Sequence, residues 1–240
     1  MAVLLISDLH LCATRPEITR IFLEFLRGPA RGTESMYVLG DLFEYWAGDD
    51  DLDDGFNASI VAGLVEYTGA GHALQIMHGN RDFLLGERFA QACNARLIDD
   101  PCPVDLCGTR TLLMHGDTLC TDDRDYQAFR AEVRSPVWKR NFLSLPLAQR
   151  KLQIEALRRR SESEKRRKTP ELMDVSAQAV AAALREHRYP RLIHGHTHRP
   201  ARHEHHLDGK TCERWVLADW YRVGSYLRCD EHGCSPIQVG

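Results

Sequence analysis

His194, His196 and His198 recur at every second position of HGHTHRP (residues 194–200), directly after the apolar pair Leu192-Ile193. Side chains on an extended backbone alternate between faces. A strand that ends at Gly195 frees the chain from that rule, so His196 and His198 can converge on one point. Four other apolar runs end in the same way. Val3–Ile6 is followed by Ser7-Asp8-Leu9-His10, and Tyr37–Leu39 by Gly40-Asp41. Leu74–Met77 is followed by His78-Gly79-Asn80-Arg81-Asp82, and Leu112–Met114 by His115-Gly116-Asp117. A lone Asp after a strand is more often a turn or a helix cap than a ligand. Five tips that all carry oxygen or nitrogen donors are poorly explained as five independent caps. Open α/β sheets bind ligands beyond the carboxyl ends of their strands, so the five tips are expected to share one site. Carboxylate, amide oxygen and imidazole suit Mn2+, Fe2+ or Zn2+, and the lack of a cysteine among them argues against a structural zinc.

The elements that must position these groups alternate along the chain. Val3–Ile6, Met36–Leu39, Ala73–Met77, Leu112–Met114 and Leu192-Ile193 read as short buried strands. Ile18, Ile21, Phe22, Phe25 and Leu26 keep helical spacing, and Ile60, Leu64, Val65 and Tyr67 suggest a second helix. Such alternation implies a largely parallel or mixed sheet covered by helices. Trp215–Leu217 and Tyr226–Arg228 are expected to form hairpin strands. One segment departs from the pattern. From Leu147 to Pro170 nine Lys/Arg stand against three Glu, and before it Trp138, Phe142, Leu143, Leu145 and Leu147 form an apolar stretch with prolines at 136 and 146. Residues 122–170 therefore read as a helical insertion within a single domain spanning residues 1–240.

The totals exclude several classes. Of 240 residues, 43% are hydrophobic and 27% charged, as in an ordinary globular protein. Apolar runs reach about five or six residues, far below the roughly 20 that span a bilayer. The N-terminus lacks a basic region and a cleavage site and reads as a first strand, which points to the cytoplasm. The eight cysteines include no C-x-x-C and are expected to be thiols. A net charge of −3 argues against a nucleic-acid-coating protein.

Taken in order, D-x-H (Asp8, His10), G-D (Asp41), G-N (Asn80), H-G (His115) and G-H-x-H (His196, His198) resemble the calcineurin-like metallophosphoesterase superfamily over residues 8–198. The resemblance implies an α/β sandwich of two mixed β-sheets flanked by helices. It also implies two divalent ions, most readily Mn2+. Asp8, His10, Asp41 and His198 would hold one ion, and Asp41 (bridging), Asn80, His115 and His196 the other. Two ions about 3.5–4 Å apart can share a hydroxide and clamp the attacking and leaving oxygens of a phosphoryl displacement. Neutral Asn80 limits the negative charge around such a pair. His194 is expected in the core or behind the ligands, His78 and Asp82 in structural roles, and His203, His205 and His206 in a solvated loop.

Many members of that superfamily carry a histidine directly after the G-N asparagine, where it can act as a general acid; here the residue is Arg81. Arginine does not usefully give up a proton, but its fork pairs with phosphate oxygens. A phosphate leaving group, with a pKa near ~6, needs no proton donor. G-N-R-D thus favours a pyrophosphate bond, with Arg81 neutralising developing charge.

Ser161, Lys165 and Lys168 lie at i, i+4 and i+7, on one face of a helix. A solvated basic helix is the commoner fate of such a charge run. Next to the apolar stretch, the segment reads instead as a cap with apolar walls and a basic rim, suited to a lipid that carries a diphosphate. Over its whole length, including LISDLHL, GDLFEYW, HGNRDFLLG, LMHGDTLCTDD and IHGHTHRP, the chain resembles the UDP-2,3-diacylglucosamine hydrolase family of lipid A synthesis. That resemblance implies hydrolysis at the α-phosphorus to give UMP and 2,3-diacylglucosamine 1-phosphate. It places Asn80, Arg81, Asp123, Ser161, Lys165, Lys168 and His196 against substrate, with Arg81, Asn80 and His196 closest to the chemistry. Lys165 stands where that family usually has asparagine. A peripheral place on the cytoplasmic face of the inner membrane is implied, without nucleic acid or a protein partner. The rival readings are a dinucleoside polyphosphate hydrolase, which needs no apolar cap, and a metal-free interaction scaffold on the same fold, which would have lost ligands.

Overall fold

The structure is a computed structural model that describes residues 2–165, 168–169, 172–188 and 191–240, without the side chains of residues 162, 164 and 165. Its strands are β1 (Val3–Ile6), β2 (Ser35–Leu39), β3 (Ala73–Met77), β4 (Arg96–Ile98), β5 (Cys102–Leu106), β6 (Thr109–Met114), β7 (Arg191–His194), β8 (Ala201–Leu207), β9 (Lys210–Val216), β10 (Gly224–Asp230) and β11 (Gly233–Val239). Its helices are α1 (Pro16–Arg27), α2 (Gly55–Gly69), α3 (Glu87–Ala92), α4 (Arg124–Val133), α5 (Pro136–Leu143), α6 (Leu147–Lys165) and α7 (Ala177–His187).

Two mixed sheets stack face to face. One has the order β11-β10-β1-β2-β3-β4, with β1 to β4 parallel and the β10–β11 hairpin antiparallel at its edge. The other has the order β5-β6-β7-β9-β8, with β6, β7 and β9 parallel. Alternation along each strand divides its apolar residues between two cores. Leu4, Ile6, Met36, Val38, Leu74 and Ile76 face α1 and α2. Leu5, Leu39 and Met77 point the other way and meet Leu113 and Ile193 between the sheets. Leu112, Met114 and Leu192 cover the outer face of the second sheet, against Val180 and Leu184 of α7. These strands are buried on both faces, which is why they read as unbroken apolar runs.

Helix α1 shows how the covering layer is held. Pro16 opens it, where a missing N–H costs nothing. Ile18, Ile21, Phe22, Phe25 and Leu26 form its buried stripe, each contributing about 1.5–3 kcal/mol by leaving water. In α2, Ile60, Leu64 and Tyr67 are buried, whereas Val65 is exposed. Between β6 and α7 the described residues run through α4, α5 and α6.

Two expectations change. Cys229 and Cys234 face each other in the β10–β11 register with Cα atoms 4.2 Å apart and form a disulfide; the other six cysteines are thiols. The sequence conceals this pair because only the hairpin register brings the two together. His203, His205 and His206 lie on strand β8 rather than in a loop, since antiparallel pairing with β9 satisfies their backbone. No described helix is long and apolar enough to cross a membrane.

Candidate metal centre and cleft

The parallel strands deliver their carboxyl ends to one edge of the sandwich, and the loops beyond them are tied together. Asp8 N donates to Gly40 O (3.1 Å), His10 N to Asp41 O (2.9 Å), and Leu11 N to Leu42 O (2.9 Å), so the first two tips travel as a pair. Asp82 is fully buried and accepts from Leu42 N (2.8 Å) and Gly79 N (2.8 Å), which joins the second tip to the third. Gly195 N donates to His115 O (2.9 Å) and His196 N to Asp8 Oδ2 (2.8 Å), closing the two sheets onto each other. Glycine is required where these loops cross. A Cβ on Gly79 would collide with the Asp41 backbone and carboxylate, and one on Gly195 with Ser7 and Asp8.

The expected donors come together in two groups. His198 Nε2 lies 3.3 Å from Asp8 Oδ1 and 3.3 Å from His10 Nε2. Asn80 Oδ1 lies between His115 Nε2 (3.0 Å) and His196 Nδ1 (2.8 Å). Asp41 sits between the groups, with Oδ2 3.8 Å from His10 Nδ1 and 3.9 Å from His115 Nε2. Its Oδ1 accepts from Arg81 N at 2.7 Å. Asp8, His10 and His198 can point ligand atoms at one ion, and so can Asp8, Asp41 and His115. Strand β7 ends at His194, one residue before Gly195, and the turn sends His196 to one group and His198 to the other.

Burial and the neighbouring charges set the electrostatics of the cluster. Burial, reinforced by Asp82 and Asp8 against the pull of His115, pushes the Asp41 carboxyl up to about 7. Burial works against a charged His115, yet Asp41, Asp117 and Asp8 outweigh it and lift the imidazole to about 9. Burial would also raise Asp8, but neighbouring His198, His115 and His10 hold it well below the usual carboxylate range. Asp8 Oδ1 is buried without a hydrogen-bond partner. A polar atom left in that state is costly unless something else meets it. An orphaned carboxylate oxygen facing imidazole nitrogens fits divalent cations. Moreover His115 Nδ1 donates to Leu39 O (2.8 Å), which leaves Nε2 free for a ligand in the neutral tautomer.

The remaining predicted residues have clear places. His194 is fully buried, contacts Gly195 O and Arg214, and is pushed down to about 4 by burial. His78 contacts Leu85 O at 2.7 Å, a structural role. Asn80, Arg81, His196 and His198 open onto a cleft of about 930 Å³ that also reaches Asp123, Ser161 and Lys168. Lys168 donates to both oxygens of Asp123 at 2.6 Å. Lys168 itself lies in a bend, not in a helix, so it does not extend a helical face with Ser161. The Lys165 side chain lies outside the described residues. Trp138 and Phe142 stack at 4.6 Å and line the cleft, but Leu143 is exposed and Leu147 is not part of the wall.

Sequence reasoning missed much of that wall. Trp46, Phe83, Phe129, Ile154 and Leu157 come from four different segments, and no spacing rule links them. It also missed how α4 is fastened to the tips that carry the candidate donors. Arg130 Nε (2.6 Å) and Tyr126 OH (2.7 Å) both donate to the buried Asp117, and Arg134 donates to Gly79 O (2.9 Å). Asp117 in the H-G-D tip was the available signal.

The chain matches the family model described as calcineurin-like phosphoesterase over residues 1–200. It is 55% identical over 236 residues to the UDP-2,3-diacylglucosamine hydrolase of Aromatoleum aromaticum, covering 97% of this chain and 95% of that protein. It is 49% identical over 220 residues to the protein of the same name from Chromohalobacter salexigens, covering 92% and 89%. Among solved structures, a novel archaeal phosphodiesterase aligns over 100% of both chains at 14% identity and a TM-score of 0.49.

Proposed function

The chain belongs to the calcineurin-like phosphoesterase family, and from that premise we propose how its residues hydrolyse the diphosphate of UDP-2,3-diacylglucosamine. Water adds to the α-phosphorus, the bond to the bridging oxygen breaks, and UMP separates from 2,3-diacylglucosamine 1-phosphate, an intermediate of lipid A synthesis. Asp8, His10, Asp41 and His198 would hold one divalent cation, and Asp41, Asn80, His115 and His196 a second, with Mn2+ the ion that the family resemblance implies among those suited to oxygen and imidazole donors. When bound, the pair supplies positive charge that activates water and offsets charge on the phosphate oxygens. Arg81 turns its guanidinium to the diphosphate and neutralises charge on the departing phosphate, which is a weak enough base to leave unprotonated. Asn80 and His196 fix the cleaved phosphate at the floor of the cleft. Asp123, Ser161, Lys165 and Lys168 meet the polar head, and residues 122–170 act as the cap that receives the acyl chains.

One observation carries this reading. One cleft is lined both by Asn80, Arg81, His196 and His198 of the donor cluster and by apolar side chains, the two surfaces that a diphosphate-bearing lipid requires. The same segment supports a peripheral place at the cytoplasmic membrane surface. Val137 and Leu152 are 59% and 66% exposed on α5 and α6, among many Lys and Arg. Each such cation near an anionic surface contributes on the order of 1 kcal/mol. The test is release of UMP from UDP-2,3-diacylglucosamine, expected to stop with a chelator and return with Mn2+. Chelator-resistant release would overturn the metal assignment. Equally efficient turnover of diadenosine tetraphosphate would overturn the acyl-lipid assignment.

A further inference from the structure

Glu44 lies three residues after Asp41, and its carboxylate is almost wholly buried amid positive charge. Its Oε2 accepts from Arg15 Nη2 at 2.9 Å, and its Oε1 accepts from Arg158 Nη2 at 2.6 Å. Arg81 Nη1 is 3.8 Å from Oε1, and His10 Nδ1 is 3.7 Å from Oε2. One carboxylate thus faces a metal-ligand imidazole, the arginine aimed at the diphosphate, and the cap helix α6 that carries Arg158. The backbone holding it is fixed. Glu44 N donates to Leu11 O at 3.0 Å, and the preceding Phe43 is buried against Trp46 and Phe89.

The His10 contact has a chemical consequence. Nε2 is the nitrogen turned toward Asp8 and His198, so it is the one available to a cation. Nδ1 must then carry the proton, and it is buried with no hydrogen-bond partner of its own. Only two carboxylates lie near it among the described contacts, Asp41 Oδ2 at 3.8 Å and Glu44 Oε2 at 3.7 Å. Asp41 is the group placed to bridge the two cations, and its other oxygen already accepts from Arg81 N. Glu44 Oε2, which also accepts from Arg15, is therefore the nearest carboxylate oxygen that the cation assignment leaves to Nδ1, and a closer approach of the ring would make it the acceptor of Nδ1–H. Carboxylate behind imidazole behind metal is an arrangement that fixes the tautomer and strengthens the ligand.

We propose that Glu44 is a positioning residue that orients His10 toward its cation and holds Arg81 and the Arg158 end of the cap in register with it. The proposal rests on the metal assignment above. An incoming diphosphate offers Arg81 and Arg158 new oxygen partners, while Arg15 stays paired with Glu44 and keeps the carboxylate in place.

The test uses the full chain with Mn2+ as probe. Glu44→Gln and Glu44→Ala, shown folded by circular dichroism, are expected to bind Mn2+ about 10–100-fold more weakly than wild type, as read from free Mn2+ by electron paramagnetic resonance. At saturating Mn2+ they should also show a kcat on UDP-2,3-diacylglucosamine that falls more than KM rises. Glu44→Asp should recover part of the affinity. Arg158→Met separates the cap from the ligand: its Mn2+ affinity should equal wild type. Wild-type affinity and kcat in folded Glu44→Ala would overturn the proposal, as would an equal loss of Mn2+ affinity in Arg158→Met. Failure of the metal assignment would show instead in the wild-type protein, as absence of Mn2+ binding.

Discussion

Asp8, His10, Asp41, His196 and His198 all sit at positive φ, between 50° and 68°. A non-glycine residue held there costs on the order of 1–3 kcal/mol, so the surroundings must over-determine it. They do so through the backbone hydrogen bonds that lash the tips together and through Asp82 beneath them. This strain turns successive side chains toward one point, which a regular strand does not allow. Asp41 lies between the two donor groups. Asp41→Ala should therefore lose both cations, which mass-spectrometric metal analysis will show, and the rate of UMP release should fall by on the order of a thousandfold or more. Two full equivalents of metal with normal activity would contradict the assignment. Arg81→Lys keeps the charge but loses the planar fork. A kcat loss of about a hundredfold is expected, with no new acidic limb in the pH profile. Unchanged turnover in Arg81→Ala would remove this role.

Among the elements, α6 shows how a basic segment is given a fixed place. Arg150 is buried and donates to Leu145 O at 3.0 Å, to Ala47 O and to the Asp50 carboxylate. Lys151 pairs with Asp51 at 2.7 Å, and Arg158 reaches Glu44. The acidic stretch between Glu44 and Asp54 thereby clamps one side of the helix. Its other residues, Ile154 and Leu157, face the cleft. Trp138 and Phe142 pack onto the main core, so removing the whole segment would open that core as well as the cleft. A point change at the rim is cleaner. Phe129 lines the cleft while 42% exposed, so Phe129→Asp carries little folding cost. Each acyl methylene that leaves water gains about 0.8 kcal/mol, and a charge in the wall forfeits several such gains. The ratio of UDP-2,3-diacylglucosamine hydrolysis to hydrolysis of a small chromogenic phosphodiester should fall at least about tenfold. A constant ratio would mean that the acyl chains do not use this wall.

For the molecule as a whole, stability and pH are linked through Asp100. Both its carboxylate oxygens are buried without hydrogen-bond partners. Burial, with Asp117 adding repulsion, pushes this carboxyl up to about 6 from its ordinary 3.8. The folded state therefore binds more protons than the unfolded one between about pH 4 and 6, and stability rises as pH falls through that window. Above it the charged group costs up to about 3 kcal/mol, at ~1.4 kcal/mol per pH unit. Asp100→Asn should raise Tm at pH 8 by several degrees, an advantage that shrinks to nothing near pH 4. Scanning calorimetry at the two pH values decides it; an equal shift at both would exclude the charge as the cause.

The amino-acid order by itself marked the five core strands whose ends carry the candidate donors, because each of those residues follows a short apolar run whose burial on both faces leaves little choice of structure; the edge strands β4, β5, β8 and β11 it did not mark. Arg81 was equally readable, since it stands at a defined offset from Asn80. Only the tertiary structure decided what depends on contacts between segments far apart in the chain. It brought the tips of two separate sheets to one edge, set Asn80 between His115 and His196, and paired Lys168 with Asp123. It also buried Glu44 among three arginines and joined Cys229 to Cys234 through hairpin register. Local periodicity reports which face of an element meets the core. It carries no information on which distant side chain will supply the opposite charge.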